Sequence, residues 1–319
     1  MSYILWNTPY PVGGVTAFCV HLHKVTGWPI LRLAKVNQKP RALGQWGVTY
    51  QNVMLDQLLE IDKPILLGGG TWTMGHEPWA FLLSRPNVWT VLHDETEFNS
   101  MPHTRYIRAD RVIVMREHNL THYPTAALLP QPYSPRYSDE GRREQRHKHA
   151  ICTARLDGLK GTDKIIEANR LLSKRHKIHL LGAPNRLWVF GKRIKYPELN
   201  GLKGFPSTFG AGADLHRHAR FGVDMTVIGN DGGVQYTLLE SIDGGSIPIT
   251  TSKFMPRGIG GHALLHQYTA DSAKELFLTI ESSSYHPNWT TANRAWLDKH
   301  HAPARVAAAW GAVVRGPRG

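Results

Sequence analysis

One rhythm, repeated in both halves of the chain, constrains the fold more than any other feature: short apolar runs, each ended by a turn and followed by residues at helical spacing. In the first half the runs fall at 3–6, 30–33, 65–67, 88–92 and 111–115, the third and fourth of them stopping at Gly and His and the first shortly before a Pro. Runs this short and this continuously apolar suit strands buried on both faces, and the helical stretches supply the crossovers of a parallel sheet. The second half restarts the pattern, with strands expected at 150–154, 178–182, 225–228 and 247–250 and helices at 162–175, 211–220 and 236–243. Between the halves, Pro130, Pro132 and Pro135 precede Arg142, Arg143, Arg146, His147 and Lys148, and a Pro-rich then basic stretch reads as a linker. The expected organisation is an N-terminal Rossmann-like domain over 1–135, a basic linker over 136–149 and a second Rossmann-like domain over 150–289. A final helical stretch and loose tail at 290–319 would cross back. A chain of 319 residues with 41% apolar content can give each half its own core.

Charge and cysteine usage narrow the setting. There are 38 Lys+Arg against 25 Asp+Glu, a net +13 that favours a polyanionic partner. Membrane surfaces and acidic polysaccharides are attracted by the same field. Only Cys19 and Cys152 are present, no window is apolar over the length of a membrane span, and no basic leader with an apolar block opens the sequence. The expectation is a cytoplasmic protein without integral membrane association.

The segment 152–161 carries the clearest chemistry. Its apolar start delivers Arg155 and then Lys160 to a strand edge, and Gly161 opens the helical stretch that follows. Guanidinium and ammonium donors beside a helix N-terminus converge on a diphosphate, so a sugar nucleotide is the first ligand to consider. A nicotinamide oxidoreductase is excluded by the lack of a Gly-x-Gly-x-x-Gly turn after the first strand. His76, His103, His118 and His122 lack tight metal-ligand spacing.

Four places in the sequence resemble the retaining GT-B glycosyltransferases. Gly13-Gly14 is similar to the Gly-rich loop after that family's first strand, where absent side chains let backbone approach the donor phosphate. Arg155 and Lys160, with Gly161 after them, resemble the family's diphosphate-binding Arg and Lys. Asp231-Gly232-Gly233-Val234, with Glu240 nine residues after Asp231, resembles the loop that faces the sugar and the helix whose Glu binds the nucleotide ribose. Here the chain departs from the family, because Gly232 stands where an earlier Glu is usual and Asp231 is its nearest carboxylate. His93-Asp94, at the end of the run 88–92, resembles the His-Asp pair of the T-even bacteriophage DNA α-glucosyltransferases, which move glucose from UDP-glucose to hydroxymethylcytosine in DNA.

What the resemblance implies is a GT-B fold with two facing α/β domains and a cleft between them. The implied donor is a UDP-sugar, UDP-glucose first, with the amides of Gly232, Gly233 and Val234 available to phosphate or sugar hydroxyls. Arg155 and Lys160 would neutralise the departing diphosphate, so the reaction can dispense with a metal. His93 and Asp94 are the candidate catalytic pair beside the sugar and the acceptor hydroxyl. The basic excess, with Arg105, Arg108, Arg111, Arg116, Arg142 and Arg143 as candidate phosphate contacts, favours a hydroxymethylated pyrimidine in duplex DNA as acceptor. Two alternatives stay open. One is a lipid-linked or surface-polysaccharide acceptor, which predicts an amphipathic basic face on the first domain; the other is a non-catalytic nucleic-acid-binding protein on an inactive GT-B fold.

Overall fold

A computed structural model describes residues 1–6, 14–33, 47–68, 76–93, 106–136, 148–202, 204, 210–226, 235–252 and 266–316. The chain forms two compact α/β units, residues 1–134 with 300–319, and residues 135–299.

The first unit begins with β1 (Tyr3–Leu5), α1 (Gly14–Thr26), β2 (Ile30–Leu33), β3 (Tyr50–Val53), α2 (Leu55–Leu59), β4 (Ile65–Leu67), α3 (His76–Leu83), β5 (Val88–Leu92), β6 (Val112–Val114) and β7 (Ala127–Leu128). Its seven strands are all parallel, in the order β3-β2-β1-β4-β5-β6-β7. The five runs expected as strands are β1, β2, β4, β5 and β6. The central strands are buried along their length, as strands covered on both faces must be. β3 went unread because Tyr50-Gln-Asn-Val53 is an edge strand whose middle residues face water, so it carries no apolar run.

The second unit contains β8 (Lys148–Cys152), α4 (Thr162–Leu171), β9 (Ile178–Leu180), α5 (Arg186–Lys192), α6 (Ala211–His216), β10 (Ala219–Asp224), α7 (Tyr236–Asp243), β11 (Ile247–Thr250), β12 (Tyr268–Thr269), α8 (Ala273–Ser282) and α9 (Pro287–His300). Its five strands are parallel, in the order β12-β11-β10-β8-β9. Side chains alternate across this sheet. Ala150, Cys152, Phe221, Val223, Ile247 and Ile249 pack with Ile165, Ala168, Leu276 and Ile280 of α4 and α8. On the other face Gly222 lies under α6 and α7, where a Cβ would collide with Ser241 and with His216.

Two expectations are corrected here. The strand expected at 225–228 is β10, which ends at Asp224 and takes up residues assigned to the end of a helix. Its buried Asp224 accepts hydrogen bonds from the Thr226 amide (3.0 Å) and from the hydroxyls of Thr226 and Thr237, which lets a carboxylate end a buried strand. The helical stretch at 290–310 is two helices, α9 and α10 (Pro303–Arg315), the latter assigned to the first unit. Pro303 lacks an N–H and turns Ala302 to ψ 127°, which breaks the helix. α10 packs on α1, with Trp310 against Phe18 at 5.5 Å.

Candidate functional site

In open parallel sheets ligands gather outside the carboxyl ends of the strands, where the strand order reverses. In the second unit that point lies between β8 and β10, and the residues leaving β8 lead straight to Arg155. This exit is fixed from the side. Leu156 donates to the Ala183 carbonyl and accepts from the Asn185 amide, both at 3.0 Å. Gly182 lies so close beneath Ala154 that a Cβ there would overlap the Ala154 carbonyl.

Arg155 is 54% exposed, while Asp157 two residues on is 3% exposed. The Arg155 Nε–H donates to Asp157 Oδ2, and Asp157 Oδ1 accepts the Lys160 amide at 2.9 Å. The Asp157 carbonyl accepts from Lys160 and Thr162 as well, both at 3.2 Å, closing a short 3-10 turn over Gly158–Lys160. Gly161 then adopts φ +62° at the start of α4, and a Cβ there would strike the carbonyl of Met225. The left-handed conformation and the close approach both require glycine. Lys160 Nζ extends to Gln235 Oε1 at 2.9 Å, the residue that opens α7. One buried carboxylate thus sets both cations, and one of them reaches from the β8 edge to the helix that follows β10.

Glu240 lies on α7, against α6 at Gly212, where any side chain would overlap its carboxylate. Burial, and after it the neighbouring Asp243 and Asp214, push its carboxyl up to about 8. Asp243, wholly buried, holds Arg294 Nη1 at 2.6 Å and accepts the Arg136 amide at 2.7 Å.

In the first unit His93 follows β5 and Gly68 follows β4, side by side at the carboxyl ends of the strands. His93 Nε2–H donates to the Gly68 carbonyl at 2.8 Å, since a carbonyl only accepts. The imidazole meets Phe18 edge-on at 4.9 Å and 84°. Gly68 is pressed against Cys19, whose Sγ occupies the place of a Cβ. The ring is therefore held at Nε2 by the Gly68 carbonyl and by a T-shaped contact with Phe18 of α1.

Of the other predicted residues, Gly14 is the first residue of α1. Arg108 forms a two-point pair with Asp110, both contacts at 3.1 Å, and Arg111 lies 3.6 Å from the same carboxylate and 4.8 Å over Trp89. Arg116 precedes the turn Glu117–Thr121. Asp110 thus offsets much of the charge of two of the predicted phosphate contacts. Gly13, Asp94, Arg105, Arg142, Arg143, Asp231, Gly232, Gly233 and Val234 lie outside the described residues. Two residues of the cluster around Arg155 and Lys160 escaped sequence reading, Asp157 and Gln235. Asp157 had a signal: an Asp three residues before Lys160, whose carboxylate caps the turn as an N-cap carboxylate does.

No family model matches the chain, and no curated protein matches it. Solved structures do. The Anabaena protein HepE in complex with UDP-glucose is similar with a TM-score of 0.67 and 12% identity, over 98% of this chain and 99% of that one. An α-glucosyltransferase in complex with UDP is similar with a TM-score of 0.65 and 12% identity, over 99% of this chain and 100% of that one. WaaG, a glycosyltransferase involved in lipopolysaccharide biosynthesis, gives 0.58 and 12%, over 99% and 100%. At such identities the likeness is one of fold: the chain has the two-unit α/β fold of the GT-B glycosyltransferases.

Proposed function

We propose that this chain is a retaining glycosyltransferase that moves a hexose, glucose first, from a UDP-sugar to a hydroxymethylated pyrimidine in DNA. The observation that carries the reading is the pair Arg155 and Lys160, set by the buried Asp157 at the strand-order reversal of the second unit. Two cations held there suit a diphosphate leaving group, whose charge grows as the bond to the sugar breaks. The UDP and UDP-glucose bound by the structural neighbours support the donor. The α-glucosyltransferase among them supports glucose as the transferred sugar, and the net charge of +13 favours a polyanionic acceptor.

In this reading Arg155 and Lys160 bind the diphosphate, Glu240 the ribose hydroxyls, and Gly13, Gly14 and the segment Asp231, Gly232, Gly233 and Val234 the phosphates and sugar. The glycosidic C–O bond of the donor breaks, the acceptor oxygen bonds to the same carbon from the same face, and the departing β-phosphate takes the acceptor proton. His93 and Asp94 serve the sugar and the acceptor hydroxyl. No step calls for a metal.

The test is incubation of the protein with UDP-glucose and duplex DNA containing hydroxymethylcytosine or hydroxymethyluracil, beside unmodified duplex, followed by digestion to nucleosides and mass spectrometry. A hexose on the modified base alone is the expected result. UDP-glucose binding without transfer would move the acceptor to a lipid-linked sugar or polysaccharide. Failure to bind the donor would overturn the reading.

A further inference from the structure

Helix α5 has two unlike faces. Inward, Trp188 and Val189 pack on Ile166, Tyr196 and Leu199, and the Trp188 indole covers Gly158 in the turn that presents Lys160. Outward, Leu187 and Phe190 stand at i and i+3 on the helix and Ile194 follows in the turn just past its end, and they are 88%, 66% and 93% exposed. Arg186, Lys192, Arg193 and Lys195 flank them in sequence, all exposed; no carboxylate occurs from 186 to 195, and Glu167 lies 4.0 Å from Lys195 Nζ. The Arg193 guanidinium lies 4.2 Å over the Phe190 ring. Three large apolar side chains left in water in one short segment call for a partner that covers them, and the flanking cations call for an anionic one.

We propose that the outer face of α5 and the turn after it are a contact for duplex DNA, with Arg186, Lys192, Arg193 and Lys195 on phosphates and Leu187, Phe190 and Ile194 against an opened base step. This rests on the DNA reading of the function given above. A base must leave the stack before its hydroxymethyl group can be reached, and apolar side chains inserted at a base step, flanked by cations, stabilise such a distortion. Position favours DNA over an anionic membrane: α5 is seated on the Arg155–Lys160 turn, so a partner on its outer face is carried beside the candidate donor-phosphate site. Size favours it too, since two side chains on a helix of seven residues, with Ile194 in the turn beyond, suffice as a wedge and give little area for lying in a lipid interface.

Duplex binding by the full chain, read by fluorescence anisotropy over a range of salt with 2-aminopurine beside a hydroxymethylcytosine, tests this. The variants are L187S/F190S/I194S, which keeps the charge, and R186Q/K192Q/R193Q/K195Q. UDP affinity and melting temperature serve as controls for the fold and the donor site, and both are expected to stay near wild type. The apolar variant is expected to lose about tenfold in duplex affinity and the 2-aminopurine signal while keeping the salt slope. The cation variant is expected to lower the log K against log salt slope by about 3 to 4, at ~0.9 per phosphate contact. Wild-type affinity and signal in the apolar variant would overturn the wedge. So would a loss confined to binding of vesicles of mixed phosphatidylcholine and phosphatidylglycerol, which assigns the face to a membrane, or the dissociation of a wild-type dimer into monomers. If the wild type transfers glucose to DNA and the variants do so equally well, the α5 contact fails while the function stands. If the wild type binds UDP-glucose yet no duplex, both fail.

Discussion

Asp157 holds Arg155 by Nε, the inner nitrogen of the guanidinium, and holds the turn of Lys160 by its backbone amide. With Nε committed to Asp157, the two outer nitrogens of the half-exposed Arg155 are the donors a diphosphate would engage in the proposed reading. A buried carboxylate in this position acts through its two cations rather than on the ligand. Asp157→Asn keeps an acceptor for the Lys160 amide but loses the charge facing Arg155, and is expected to weaken UDP binding about tenfold, the scale of one charge-assisted hydrogen bond. Asp157→Ala is expected to weaken it further and to lower the melting temperature. Isothermal titration with UDP checks this, and tighter binding by Asp157→Asn would mean that Asp157 competes with the ligand for Arg155.

The same turn depends on Gly161. Replacement by Ala would impose a side chain on φ +62° and drive it into the Met225 carbonyl, backbone that cannot swing aside. The expected cost is on the order of 1–3 kcal/mol or more. Urea unfolding of Gly161→Ala checks it, and an unchanged midpoint would show that the β10 exit relaxes freely.

Most of the first sheet was legible because its strands are buried on both faces and therefore continuously apolar, as at 65–67 and 88–92. What escaped reading was structure held by polar pairing. β10 reads poorly because Arg220, Gly222 and Asp224 interrupt it, yet Gly222 is needed beneath Ser241 and Asp224 is satisfied by two threonines. Helix α8 had a signal in Ser272 and Glu275, whose side chains accept the Glu275 and Asp271 amides at 3.2 and 2.6 Å. At the site, Arg155 and Lys160 were visible by type and spacing. Gln235 was not, because its contact with Lys160 spans 75 residues and two strand crossovers.

His93 is anchored by one nitrogen to Gly68, so a structural role and a chemical one can be separated. Glutamine can place an amide N–H where Nε2–H stands and keep the bond to the Gly68 carbonyl, but it presents no imidazole to the sugar and the acceptor hydroxyl. Both His93→Gln and His93→Ala are expected to lower kcat about 100-fold with UDP affinity unchanged, and only His93→Ala is expected to lose stability. Near-normal kcat in His93→Gln would reduce His93 to a structural residue.

Glu240 gives the second unit a pH dependence of its own. Its carboxyl sits at about 8 in the folded protein, above the ordinary 4.5, so the folded state favours the protonated form. The stabilising contribution is present below pH 4.5 and is lost as the pH rises through 8. Glu240→Gln mimics the protonated acid and should remove that slope, so the melting temperature of the variant is expected to exceed that of wild type by a margin that grows from pH 5 to pH 8.5. A constant margin across that range would place the Glu240 carboxyl near its ordinary value.

The first unit has the opposite slope, set by two histidines that hold the segment 130–134. His21 Nδ1 accepts the Ser134 amide at 2.9 Å and its ring stacks on Tyr133, so a proton on Nδ1 would remove the acceptor. His301 Nδ1 bonds the Gln131 carbonyl at 2.9 Å, and Trp310 donates to Pro130 at 2.9 Å. Burial, with Lys24 adding to it, lowers His21 to about 3. Burial lowers His301 to about 4, the Gln131 carbonyl opposing the shift and His300 and Arg305 adding to it. Both rings are favoured neutral in the folded state, so their contribution is present above pH 6.5 and is lost as the pH falls toward 4 and then 3. From pH 6.5 to pH 5 the expected loss is on the order of 2 kcal/mol or less for each histidine. His21→Asn keeps an acceptor where Nδ1 stands and cannot be protonated, so it should shed about half of that acid slope in urea unfolding followed from pH 7 to pH 5. An undiminished slope in His21→Asn would move the acid lability of this unit to other groups.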